Sequence, residues 1–152
     1  MERALHERLV ELGQTVASAE SLTGGELASL LSRTPGASSS YVGGVVSYAT
    51  ELKVGLLGVD EATVRDFGVV SAECATEMAT GVRRITNADW AISTTGVAGP
   101  SQQEDKAVGT VYVAIAGPHE VVVSTLHLDG DRAEIRRATC VAAVQALLEV
   151  LG

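Results

Sequence analysis

A helix, a strand and a second helix are written into the first 32 residues, and the last two meet at a pair of glycines. Glu2 to Leu12 carries Leu5, Leu9 and Leu12 at helical spacing and stops at Gly13, while Thr15 to Ala19 is short and β-prone. After Gly24-Gly25 the pattern from Glu26 to Ser32 is helical again. The segment Ala19-Glu20-Ser21-Leu22-Thr23-Gly24-Gly25 is therefore a strand-to-helix turn. Such turns belong to α/β sheets, where they gather at one edge and carry sites. Composition agrees: 46% of the chain is hydrophobic but only 3% aromatic, so the core is filled by Ala, Val, Leu and Ile, the residues of strands under covering helices. A chain of 152 residues has room for one such core, burying roughly 68 to 70% of its unfolded surface.

The alternation continues. Thr34 to Ser40 is a loop by composition, and Tyr41 to Tyr48 is a second strand in which Gly43-Gly44 lets something pass close to the backbone. Lys53 follows just beyond it. Asp60 caps a short helix to Phe67, and Ser71 caps a longer one with an apolar face of Cys74, Ala75, Met78, Val82 and Ile85. Ala88 to Thr94 is a third strand, Thr95 to Lys106 a polar loop, and Gly109 to Ala116 with Val121 to Leu128 an antiparallel hairpin. Asp131-Arg132-Ala133-Glu134 has capping-box spacing and opens a final helix to about Leu151. That helix is apolar nearly all round after Ala138, which calls for a second partner besides the sheet and makes a homo-oligomer the expectation. With no repeat and no linker, residues 1–152 are expected to form one domain.

Eleven basic against nineteen acidic residues give a net charge of -8, which repels nucleic acid and anionic lipid. An anionic substrate would need a few placed cations and backbone N–H groups. Cys74 and Cys140 lack paired spacing and read as buried free thiols. The N-terminus has no long apolar stretch and no apolar run approaches membrane-spanning length, so a cytoplasmic protein is expected.

His6, His119 and His127 are scattered, and neither a P-loop nor a Gly-x-Gly-x-x-Gly follows the first strand, so metal, ATP and dinucleotide readings lose ground. Ser21 is the candidate nucleophile. No histidine lies near it in sequence, whereas Lys53 converges on it if the first two strands pair. A lysine serves as base only when neutral, a state about one in a few thousand occupy at pH 7 with an ordinary pKa, a deficit of roughly 4 to 5 kcal/mol. Burial among Val45, Val46, Val54 and Leu56 is expected to remove much of it, with Arg132, if close, helping by repulsion. Each residue also has a plain structural reading. Lys53 fits a solvated cation on a short helix, Ser21 and Thr23 fit N-caps beside turn glycines, and Glu20 fits a carboxylate at a positive helix end. The functional reading uses the same geometry, since N–H groups at Thr23, Gly24 and Gly25 suit an oxyanion or a phosphate. Thr95, Gly96 and Gly99 would line the same edge if the strands are parallel, and Arg132 fits a phosphate ligand or a surface cation.

The pieces Ala19 to Gly25, Gly44-Val45-Val46-Ser47-Tyr48 with Lys53, Gly68-Val69-Val70-Ser71 with Met78-Ala79, Thr95 to Pro100, Lys106 with Val108-Gly109-Thr110-Val111, and Gly130-Asp131-Arg132 together resemble the CinA C-terminal domain, or nicotinamide-nucleotide amidohydrolase, family. The resemblance implies a three-layer α/β/α fold with a mixed, mostly parallel sheet, here of about five or six strands with the C-terminal hairpin. It implies hydrolysis of the carboxamide of nicotinamide mononucleotide (NMN) to nicotinate mononucleotide and ammonia, by a stand-alone form without the nucleotide-processing domain of larger members. Ser21 would be the nucleophile, Lys53 its base, and Tyr48 and Arg132 supporting catalytic residues. Glu20, Thr23, Gly24, Gly25, Thr95, Gly96 and Gly99 are the expected substrate contacts. Lys53 would take the Ser21 proton, lysinium would protonate departing ammonia, and Lys53-activated water would resolve the ester, with no metal or organic cofactor.

The chain departs from the family's pattern after Pro100, where Ser101-Gln102-Gln103-Glu104 replaces the usual Gly-Gly and Ala107 replaces Pro. This predicts a bulkier, less constrained loop. Leu22 stands where Cys is common. Two other functions fit the same residues: a non-catalytic pyridine-nucleotide-binding module, and an amidase for another small carboxamide.

Overall fold

The computed structural model describes residues 1–152. Strand β1 (Val16–Glu20) lies between and parallel to β2 (Tyr41–Val46) and β3 (Trp90–Gly96). On the far side of β3, β4 (Thr110–Ala116) and β5 (Val121–His127) add antiparallel, giving one five-stranded sheet in the order β2-β1-β3-β4-β5. The sheet is mixed, as expected, with its parallel pairing confined to the first three strands. Gly44 permits the close approach anticipated for it: a Cβ there would lie 2.6 Å from the backbone oxygen of Ser18.

Helices cover both faces, completing three layers. Helices α1 (Glu2–Leu12), α2 (Glu26–Leu31) and α6 (Arg132–Leu151) bury Leu5, Leu9, Leu27, Ile135, Val144 and Leu147 against Val16, Ile92, Val113 and Ile115. On the other face, α5 (Ala72–Thr86) seats Cys74, Ala75, Met78, Ala79 and Val82 on strand alanines 17, 19, 91, 114 and 116. Small strand residues bring this helix close. Between β2 and α5 run two short helices, α3 (Thr50–Gly55) and α4 (Glu61–Phe67).

The caps follow the sequence: Asp60, Ser71 and Asp131 accept from the N–H groups of Ala62, Cys74 and Glu134 at 2.8, 3.1 and 2.9 Å. Ile85 is a correction, being 47% exposed rather than part of the α5 core face. Thr95 and Gly96, expected in a loop, end β3. Part of the apolar girth of α6 is covered within this chain by α1 and α2, which both pack on it, while Val141 stays 44% exposed. No helix is long and apolar enough to cross a membrane. Both cysteines are free and buried, and burial pushes the Cys74 thiol up to about 11 and the Cys140 thiol up to about 12.

Candidate active site

The parallel strands β2, β1 and β3 point their carboxyl ends to one edge, and β2 and β3 flank β1 with their crossovers on opposite faces, α2 in one layer and α5 in the other. Such a switch point opens a crevice in α/β sheets. Hydrogen bonds weld the three strand ends together there. The Ser21 N–H donates to Thr94 O at 2.9 Å, while the Ser47 N–H and hydroxyl both donate to Glu20 O at 2.8 and 3.2 Å. Along β1, Val16 and Glu20 face the α1/α2/α6 layer, and Ala17 and Ala19 face α5. Ser21, next in that alternation after Ala19, belongs to the α5 side.

On that side a cleft of about 610 Å³, counted to its open mouth, is lined by Ser21, Tyr48, Lys53, Thr95, Gly99 and Arg132, with Gly96, Val69 and Val70 among the walls. Lys53, on α3, is 1% exposed, so the solvated-cation reading of it does not hold. Its Nζ donates to Ser47 O at 2.7 Å and to Tyr48 O at 3.1 Å. Burial pulls its pKa below the usual lysine range, against the opposing effects of the Cys74, Glu104 and Glu51 charges. Arg132 is not among the causes. Nor are all the expected apolar neighbours, since Val46 and Leu56 are 43% and 47% exposed.

Arg132 opens α6 at the opposite lip and bridges two segments. It donates from Nη1 to Gly99 O at 2.8 Å and from Nη2 to the Tyr48 hydroxyl at 2.9 Å. Thr95 is buried and donates to Val69 O at 2.7 Å. The remaining expected contacts lie outside the cleft lining. Glu20, 1% exposed, faces α2, where Oε1 accepts from the N–H groups of Gly25 and Leu27 at 3.1 and 2.8 Å and Oε2 from Ala28 at 3.1 Å. Thr23 pairs its hydroxyl with that of Thr94 at 2.8 Å, and the Gly24 N–H closes the turn onto Ser21 O at 3.0 Å. The Gly24 and Gly25 donors offered for an oxyanion are therefore already spent. The N–H groups of Leu22 and Thr23 make no hydrogen bond within the protein, and Leu22 lines the cleft.

Sequence reasoning missed Glu104. Its carboxylate accepts from the N–H groups of Val69 and Val70 at 2.9 and 2.7 Å, and Lys106 Nζ donates to Val70 O. The 101–107 loop is thus anchored, not less constrained. Its bulk does reach the site, because Ser101 and Gln103 line the cleft. The signal was a carboxylate and a lysine two residues apart in a loop, with nothing in the sequence to name their partners.

The CinA C-terminal domain matches residues 1–151. The chain belongs to this family. A CinA-like protein from Frankia casuarinae is 48% identical over 144 residues, covering 95% of this chain and 33% of its own length. A CinA-like protein from Thermotoga maritima is 41% identical over 152 residues, covering 99% of this chain and 37% of its own. The chain thus spans about a third of the curated relatives it matches. Among solved structures, the competence/damage inducible protein CihA from Agrobacterium tumefaciens is 34% identical with a TM-score of 0.95, over 99% of this chain and 93% of that one. A competence-damaged protein (CinA) superfamily protein from Enterobacter cloacae is 32% identical with a TM-score of 0.97, over 99% and 90%. The mixed α/β sheet described above is the fold of this superfamily.

Proposed function

We propose that this CinA-family chain hydrolyses the carboxamide of NMN through a covalent Ser21 ester with Lys53 as its base. The observation that carries the reading is the hydrogen bonding of Lys53. A neutral amine has two N–H donors, and Nζ has two carbonyl acceptors, Ser47 O and Tyr48 O. In that neutral form the lone pair has no partner within the protein, and Ser21 lines the same cleft. Burial favours the same neutral state. Lys53 takes the hydroxyl proton as Ser21 Oγ attacks the carboxamide carbon, and the resulting ammonium protonates the departing ammonia. Water, deprotonated by Lys53, then cleaves the ester. The Leu22 and Thr23 N–H groups hold the oxyanion in place of the glycine donors, and the Arg132 guanidinium faces the substrate phosphate from the lip.

A second reading rests on Ser101 and Gln103. These polar side chains in the lining favour an amidase whose substrate is another small carboxamide. Ammonia release from NMN and from a panel of simple amides separates the two. In the same assay Ser21→Ala and Lys53→Ala are expected to lose activity by roughly a thousandfold or more. Turnover that survives loss of Ser21 sinks the covalent mechanism for any substrate.

A further inference from the structure

The Val69-Val70 dipeptide forms part of the cleft wall beside Lys53 and is held by side chains from elsewhere in the chain. Both of its N–H groups donate to Glu104, its first carbonyl accepts from Thr95 and its second from Lys106. All four backbone polar groups are thereby satisfied, three of them by the loop after Pro100. Gly68 makes this possible. It sits at φ +78, and a Cβ there would come within 2.6 Å of both Glu104 carboxylate oxygens. The sequence has thus kept space open for a carboxylate 36 positions away along the chain, from Gly68 to Glu104.

We infer that Glu104 is a positioning residue for Lys53: by seating the loop on Val69-Val70 it closes the wall that keeps water from Nζ. The inference rests on the proposed role of Lys53 as base. The charged and titratable groups around that amine are Cys74 on α5, Glu51 on α3 and Glu104 on the loop, with Arg132 and the Tyr48 side chain also lining the cleft. Loss of the Glu104 carboxylate acts in two opposed ways. Removal of its negative charge lowers the lysine pKa further, while an opened wall admits water and raises it. Burial is the largest influence on Lys53 and the Glu104 charge ranks behind that of Cys74, so upward movement is the result expected of an opened wall.

The test uses Glu104→Ala and Gly68→Ala in the unliganded chain. The second variant displaces the carboxylate but keeps its charge. Amide exchange at Val69 and Val70 is expected to quicken roughly tenfold or more in both, as a charge-assisted hydrogen bond is lost. The Lys53 titration, followed by NMR of isotopically labelled lysine, is expected to move upward in both. With NMN, the acid limb of the kcat profile moves upward with it and kcat at pH 7 falls roughly tenfold. Unchanged exchange overturns the inference, as does a Lys53 titration that stays in place or moves downward in Glu104→Ala. If Gly68→Ala does not fold, the direction in Glu104→Ala decides alone. Exchange and titration need no substrate, so a wild-type chain inert toward NMN removes the amidohydrolase reading and leaves this test intact.

Discussion

Glu20 offers the sharpest test of how the site is supported, because it sits next to the proposed nucleophile, Ser21, yet faces away from the cleft. Its carboxylate is 1% exposed and accepts three N–H groups from the first turns of α2. Those donors have no intrahelical partners, and a carboxylate at a helix N-terminus also complements the positive end of the helix dipole. Hydrogen bonds to a charged acceptor contribute about 1.5 to 3 kcal/mol each. Bonds to one side chain are not additive, so Glu20→Ala is expected to cost about 3 to 5 kcal/mol. For a chain of this size that lowers Tm by roughly 6 to 20 °C. Glu20→Gln keeps one carbonyl oxygen for Gly25 and Leu27 but turns an NH2 group toward the Ala28 N–H. Its expected cost is about 1 to 3 kcal/mol.

Urea unfolding at pH 7, followed by far-UV circular dichroism with a shared m-value, measures both. If both variants fall within about 0.5 kcal/mol of wild type, the cap contributes nothing and the reasoning is refuted. The same variants decide whether Glu20 touches substrate. Assayed well below its midpoint, Glu20→Gln is expected to hold KM for NMN within about twofold. A large rise in KM would return Glu20 to the cleft.

Lys53 carries a stability signature with a definite sign. Its folded pKa is lowered, so between that value and the unfolded 10.5 the unfolded chain binds more protons and stability rises with pH. Lys53→Met lacks this dependence, so wild type should gain on it as pH climbs toward 10.5 in paired urea titrations, and parallel curves would contradict the burial argument. Arg132→Ala is expected to cost roughly 10- to 100-fold in kcat/KM because it frees both Gly99 and Tyr48, and Tyr48→Phe less, since only one of those ties is lost. Equal losses would place the whole effect on the Tyr48 hydroxyl. Gly81→Ala, whose new Cβ would collide with the Leu57 carbonyl beneath α5, is expected to lose about 2 to 4 kcal/mol by urea unfolding.

Local chemistry explains what was legible beforehand. The ends of α1, the caps at Asp60, Ser71 and Asp131, and the β4–β5 hairpin rest on residues within a few positions of one another, and the sequence displays them. Ser21 and Lys53 line one cleft because the parallel neighbours β1 and β2 end at the same edge. The illegible parts depend on distant partners. Glu104 is defined by Val69 and Val70, 35 and 34 positions away, and the girth of α6 by α1 at the other end of the chain. Ile85 fitted the helical period but lies in the last turn of α5, where the sheet no longer covers it.

The pleat of β1 accounts for the division of labour between Glu20 and Ser21. Neighbouring positions on a strand face opposite layers. The motif therefore places its carboxylate under α2 and Ser21 in the cleft that Lys53, Val69 and Val70 line. This separation has an electrostatic consequence. Charge from Glu20 acts on Tyr41 and on Cys140 and is not among the influences on Lys53. Had the two residues faced the same layer, a carboxylate beside Nζ would have held the lysine protonated and removed the lone pair the proposed mechanism needs. Exchanging the two, as Glu20→Ser with Ser21→Glu, is then expected to do more than remove the proposed nucleophile. The new carboxylate would raise the Lys53 titration toward the ordinary lysine range, and an unchanged titration in that double variant would show that the pleat does not insulate the base.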